Sequence, residues 1–158
     1  MNLVKNNLLW MMIAVALVMT SCNRQVIYSH YEPVPIDGWD REEPVVFCIR
    51  PVAETGTYTE LFGLRASSIY PFTHLTLLIK QQIYPSGKVK QDMVSIQLTD
   101  EEGFPKGTGM NHFQYELPPT TITLQEGDSL QVTISHYMKR EHLPGITDIG
   151  LTLEKNED

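Results

Sequence analysis

Only two cysteines, Cys22 and Cys48, occur in the 158 residues, so a densely disulfide-stapled scaffold is excluded and at most one internal bridge can form. Cationic side chains are scarce: 12 Lys and Arg stand against 19 Asp and Glu, a formal net charge of −7. No stripe of Lys and Arg gathers anywhere along the chain. Nucleic acid is therefore not expected as a partner, because holding phosphates requires clustered positive charge. The motifs of common catalytic chemistries are missing as well: there is no Gly-x-Ser-x-Gly, no His-Glu-x-x-His, no phosphate-cradling glycine loop and no Cys-x-x-Cys. No catalytic residue, metal or cofactor is assigned. Beyond Cys22 no window sustains a 3.6-residue apolar period over three turns, so little helix is expected.

One long hydrophobic run is present, at the N-terminus. Residues 8–19 are uninterruptedly apolar and follow the positive charge of Lys5. As a helix the run rises roughly 18 Å, well short of the roughly 30 Å hydrocarbon layer, so it reads as the core of an export signal and not as a membrane span. It ends in Met19-Thr20-Ser21-Cys22, which resembles a bacterial lipobox of the relaxed kind found in Bacteroidota, with Met19 where a branched aliphatic residue is usual. The expectation is a lipoprotein signal peptide over residues 1–21, cleavage before Cys22, and palmitate-type acyl chains on Cys22 that hold the protein to a membrane. An ordinary signal with an incidental cysteine is the competing reading. Two or more chains anchor stably, since each buried methylene contributes about 0.8 kcal/mol. Removing residues 1–21 leaves 137 residues with 11 cationic side chains against 19 acidic ones. That length suffices for one domain, burying on the order of two-thirds of its unfolded surface, and the acidity reads as solubility.

Residues 22–44 carry Pro33, Pro35, Pro44 and Gly38 among polar side chains and read as a lipidated tether. Tyr28, Tyr31, Ile36 and Trp39 interrupt that polarity, so the tether is expected to pack back onto the domain, with packing onto a partner as the alternative.

Over residues 45–158 the apolar period is two. Phe62, Leu64 and Ala66 share a parity, as do Leu75, Leu77, Ile79 and Ile83, interrupted by Gln81. The pattern returns at Val94, Ile96 and Leu98, at Ile122 and Leu124, at Leu130, Val132 and Ile134 with His136 and Met138 in phase, and at Ile149, Leu151 and Leu153. Turn residues separate these runs at Glu54-Thr-Gly56, Tyr84-Pro-Ser-Gly87, Glu102-Gly-Phe-Pro105, Glu126-Gly-Asp128 and Leu143-Pro-Gly145. With the apolar stretch at residues 45–49, about seven strands are predicted. The fold class is all-β, an antiparallel β-sandwich of immunoglobulin-like or jelly-roll-like character with strand order open. Tyr84-Pro-Ser-Gly87 marks a hairpin. Cys48, inside an apolar strand-like run, is expected to be a buried inert thiol, with a reactive thiol as the alternative.

Residues 100–111 form the longest irregular segment. Asp100, Glu101 and Glu102 supply oxygens, but without the spacing of an EF-hand a solvated acidic turn is preferred over a calcium site. His136 lies in the inward parity and is expected to be a hydrogen-bonded core histidine; a zinc site with His142 would need further ligands that no spacing specifies. Trp39 and seven tyrosines keep a glycan-binding surface lipoprotein open as an alternative, since exposed aromatics stack beneath sugars.

Several motifs in order carry a resemblance: Tyr28, Tyr31 and Trp39; Leu64-Arg65 before Tyr70-Pro71-Phe72; Gly103 and Gly107-Thr-Gly109; and Met138-Lys139-Arg140 leading to Leu143-Pro-Gly-Ile-Thr-Asp-Ile-Gly-Leu151. Together they resemble the gliding-motility lipoprotein GldH family of Bacteroidota, across essentially the whole mature chain and most specifically over residues 138–151. The resemblance implies a non-enzymatic cell-envelope component that works with other motility or surface-secretion proteins and brings no catalytic residues. The family also occurs in bacteria that do not glide. Gly145 and Gly150 fit turns or close backbone approach, and Asp148 is expected to cap or bridge loop amides. Asn23-Arg24-Gln25 lacks the acidic run that resembles a surface-export signal in this phylum, pointing to an outer-membrane protein whose domain faces the periplasm.

Overall fold

The computed structural model describes residues 25–35 and 37–157. Lys5, the apolar run, the lipobox-like segment with Cys22, and Ile36 lie outside the described residues.

Among the described residues, twelve strands follow one another without a helix between them: β1 (Gln25–Pro33), β2 (Trp39–Asp40), β3 (Val45–Ile49), β4 (Gly56–Ser67), β5 (His74–Tyr84), β6 (Val89–Gln97), β7 (Thr108–Gly109), β8 (His112–Glu116), β9 (Thr120–Leu124), β10 (Ser129–His136), β11 (His142–Leu143) and β12 (Ile146–Lys155). Two antiparallel sheets form a sandwich that does not close into a barrel. The larger runs β1-β12-β4-β8-β7, with β9 also on β4, and the smaller runs β3-β10-β5-β6, while β2 and β11 pair separately. The fold class is the expected one, with a larger strand number. β1 and β8 are the additional strands of five or more residues. Residues 25–33, within the stretch assigned to the tether, form β1 on the edge of the larger sheet and pair along β12 from Gln25↔Lys155 to Pro33↔Asp148.

Strand alternation builds the core. Leu75, Leu77 and Ile79 of β5, Leu130, Val132 and Ile134 of β10, and Ile149, Leu151 and Leu153 of β12 are all buried between the sheets, each contributing on the order of 1.5–3 kcal/mol by leaving water. β4 carries Tyr58, Glu60, Phe62, Leu64 and Ala66 on the same inner face. β8 and β9 divide the outer edge of β4 between them: β8 pairs with residues 63–67 and β9 with residues 56–60. The amide of Leu117 bridges the interruption, donating to Phe62 O at 3.0 Å.

The hairpin at residues 84–87 joins β5 to β6, with the Ile83 amide donating to Lys88 O at 2.9 Å and a cis peptide between Tyr84 and Pro85. Cys48 departs from expectation: it is exposed. In β3 the residues Val45, Phe47 and Ile49 are buried, so the alternation turns Val46 and Cys48 outward.

Candidate functional site

The registers give the sandwich two distinct ends. The start of β1, the end of β12 and the β5–β6 hairpin lie at a base, together with the loops at residues 50–55 and 125–128. At the other end, the tip, lie the loops at residues 34–38, 67–73, 98–107 and 137–145 and the β7–β8 turn at residues 110–111. β1 is nine residues long, so about 30 Å separates base from tip.

Trp39 organises the tip. It is fully buried, its indole N–H donates to Glu43 O at 2.9 Å, and its ring meets His136 edge-on at 5.2 Å. β2 pairs with β11 through Leu143↔Trp39 and His142↔Asp40, so the tryptophan near the N-terminus and the motif-rich closing segment form one structure. Arg41 strengthens that joint: its guanidinium donates to Met138 O, and its amide donates to Glu141 O at 3.1 Å.

His136 is fully buried, with Nε2 3.1 Å from Trp39 O and 3.0 Å from Glu141 O, and with the Met138 amide 3.5 Å from Nδ1. Two carbonyl acceptors at Nε2 and a donor at Nδ1 describe a neutral imidazole carrying its proton on Nε2. Burial pushes its pKa down, against the raising effect of those carbonyls. Both ring nitrogens are thus engaged. His142 instead faces Asp40, with Nδ1 to Oδ2 at 3.3 Å. Among the described residues, no group of three or more His, Cys, Asp and Glu is placed to hold a metal ion.

The tip loops carry exposed apolar side chains. Ile69 is 60% exposed, Phe104 68%, Met110 91% and Tyr137 60%. Phe104 is held outward by its own turn: Asp100 Oδ1 accepts the Phe104 amide at 2.7 Å, and the Asp100 amide donates to Phe104 O at 2.9 Å. The carboxylate of Asp100 is thereby spent on shaping the loop. Between the 67–73 and 98–107 loops lies a cavity of about 180 Å³ lined by Ser68, Tyr70, Thr99, Gly103 and Pro105 among others, where Thr99 Oγ1 is buried without a partner.

The glycines of the closing segment have separate uses. Gly145 has φ +88°, and a Cβ there would stand 2.6 Å from Tyr70 N, so only glycine fits. Gly150 and Gly63 form a shelf on the outer face of the larger sheet, on which the Tyr31 ring lies; a Cβ on Gly150 would reach 2.4 Å from that ring. Arg65 stacks over Tyr31 at 4.4 Å from the ring centre, and Asp148, 3.9 Å from Arg65, belongs to this strand surface. The expected capping role of Asp148 is replaced by this ion pair. Trp39, the residue best suited to stack beneath a sugar, is enclosed in the core, and the aromatic contacts Tyr28–Phe47 and Tyr70–Phe72 are edge-to-face.

Sequence reading missed one polar cluster. Glu60 is fully buried between the sheets, where Gln81 Nε2 donates to its Oε2 at 2.6 Å and Thr120 Oγ1 does so at 3.0 Å. Burial raises the Glu60 pKa, opposed by those two hydrogen bonds. Gln81, the break in the β5 parity, was the available signal.

Among solved structures, the chain is similar to the globular domain of zebrafish complement 1qA protein, at 12% identity over 85% of this chain and 98% of that one, with a TM-score of 0.49. It is likewise similar to tripeptidyl peptidase 2, at 11% identity over 80% of this chain and 10% of that one, with a TM-score of 0.49. A curated relative, the gliding motility lipoprotein GldH homolog of Christiangramia forsetii, is 24% identical across 90% of this chain and 91% of its own length. The family model described as GldH lipoprotein matches residues 26–153, and the chain therefore belongs to the GldH lipoprotein family.

Proposed function

We infer that this protein is a non-enzymatic envelope lipoprotein, anchored by acyl chains on Cys22, that acts through protein contacts in an assembly serving gliding motility or surface secretion. The observation that carries this reading is the set of exposed apolar side chains on the tip loops, Ile69, Phe104, Met110 and Tyr137. Apolar groups held outward on shaped loops are suited to bury against another protein. The proposed anchor fits this polarity. Only two residues, Asn23 and Arg24, separate Cys22 from Gln25, at most about 10 Å of extended chain, so an acylated Cys22 holds the base against the bilayer and presents the tip away from it. The outer membrane is the proposed location, with the domain in the periplasm, in keeping with the absence of acidic residues among Asn23, Arg24 and Gln25. The family name and the name of the Christiangramia relative support gliding motility as the setting.

The anchor is tested by metabolic labelling with a fatty-acid analogue: wild type takes up label, and Cys22→Ala remains unlabelled and unprocessed. Labelling that persists in Cys22→Ala would overturn it. The assembly reading is tested by crosslinking the wild-type lipoprotein in its own cells and identifying its companions by mass spectrometry. Recovery of other motility or secretion subunits is expected; recovery of none overturns the reading.

A further inference from the structure

We propose that the flank of the sandwich formed by β6, β8 and β9 binds an acidic, extended segment of a partner protein, added as a strand along the free edge of β6. This surface runs along the side of the sandwich and meets the tip only where residues 106 and 107 line its upper cavity, and the inference does not depend on acylation of Cys22.

Among the described residues β6 pairs with β5 alone, from Gln97↔His74 to Val89↔Gln82, and its other edge has no strand beside it. Every second residue of this nine-residue strand thus turns its backbone N–H and C=O to an open edge. The interior behind that edge is incompletely filled. On β5 the inward Leu75, Leu77 and Ile79 are buried, whereas Val94 and Ile96 of β6 are only half-buried. Two cavities occupy the gap between β6 and the opposite sheet. One, of about 430 Å³, is lined by Ile96, Lys106, Gln114 and Glu116 among others. The other, of about 370 Å³, is lined by Gln81, Ile83, Lys88, Val89, Lys90 and Ile122. An added strand would direct alternate side chains toward this gap, one after another along β6. Gln81, which lines the second cavity, and the neighbouring Glu60 each leave a buried Oε1 without a hydrogen-bond partner, so the inner end of that cavity suits a donating hydroxyl such as that of Thr, and the acidic side chains of the segment are left to the lysines at the rim.

Charge selects the occupant. In a chain of net charge −7, this flank gathers Lys88, Lys90 and Lys106 around the two cavities. The carboxylates beside them are Glu116, Asp92, which already pairs with Lys90 at 2.8 Å, and Glu60, which is buried behind Gln81 with its pKa raised by burial. A second copy of the chain would bring these lysines against their own kind. The Lys90–Asp92 pair at the edge also discourages a purely apolar strand. A segment carrying Glu or Asp meets both conditions.

The test uses the full-length lipoprotein in detergent and a fluorescein-labelled nine-residue peptide alternating Glu with Val and Thr. Its controls are the same peptide with Lys in place of Glu, and a version N-methylated at alternate backbone amides. Fluorescence anisotropy is expected to show saturable binding of the Glu peptide, weakened at least about tenfold by Lys88→Glu with Lys90→Glu, and no binding of either control. A photo-crosslinker at Met93 is expected to capture the Glu peptide, and one at Val46 on the opposite edge strand is not. Failure of the Glu peptide to bind, equal binding after N-methylation, or equal binding by the lysine variants overturns the proposal. A salt-resistant dimer dispersed by Met93→Lys overturns it in favour of a second copy.

Discussion

The two flanks of this sandwich are built from the same kind of element, an edge strand from each sheet, yet one is sealed and the other gapes. On the sealed side Tyr28 of β1 meets Phe47 of β3 edge-on, 6.4 Å between ring centres, and Phe47 is buried. On the open side the inward positions of β6 are Lys90, Asp92, Val94 and Ile96, none of them buried, and cavities of about 430 and 370 Å³ remain behind them. A large aromatic at an edge supplies enough apolar area to exclude water, whereas an ion pair at the same kind of position requires water or a partner. The identity of one or two inward side chains therefore decides whether an edge is finished or available.

Substitutions can break this contrast. Phe47→Ala on the sealed side should cost about 3–5 kcal/mol, read as a lower urea midpoint. Ile96→Ala on the open side removes a half-buried side chain and should cost roughly 1–2 kcal/mol; equal losses at the two positions would mean that the flanks are packed alike. A further comparison concerns Glu60, behind the open flank. Burial raises its pKa above the ordinary 4.5, so the folded state holds the proton more tightly than the unfolded chain does. Its contribution is fully present below about pH 4.5 and is lost as pH rises through the folded-state value. Glu60→Gln should remove that component of the stability-versus-pH curve, and an unchanged curve would refute the assignment. The smallest effect is expected on the outer face, where Arg65→Ala should cost about 0.5–1 kcal/mol through its contact with Tyr31; a loss of several kcal/mol would mean that this surface is part of the core's support.

The strands that sequence alone revealed are those whose inward parity is filled with aliphatic residues, such as β5, β10 and β12. β1 was hidden because Tyr28 and Tyr31 stand on opposite faces and because its register shifts between Val26 and Tyr28, which destroys a period of two. Cys48 was misplaced because an unbroken run, Val45-Val-Phe-Cys-Ile49, contains no polar residue to set its phase; pairing with β10 sets it. His136 was legible, since one polar residue in an apolar parity must find partners in the core. Glu60 was not, because its partners Gln81 and Thr120 come from strands 21 and 60 residues away. The tip was legible only as separate motifs. That Trp39 and residues 136–145 form one structure follows from pairing across about a hundred positions, which no local pattern encodes.

The proposed role of the tip loops in binding other envelope proteins can be checked by comparing, in crosslinked cells, the companions of wild type with those of a Phe104→Asp and Ile69→Asp double variant. Both side chains are exposed, so the variant should unfold at the same urea concentration as wild type and remain in the membrane fraction. Loss of the wild-type companions from this folded, anchored variant is the predicted result. Recovery of the same companions in the same amounts would mean that the tip loops do not make these contacts.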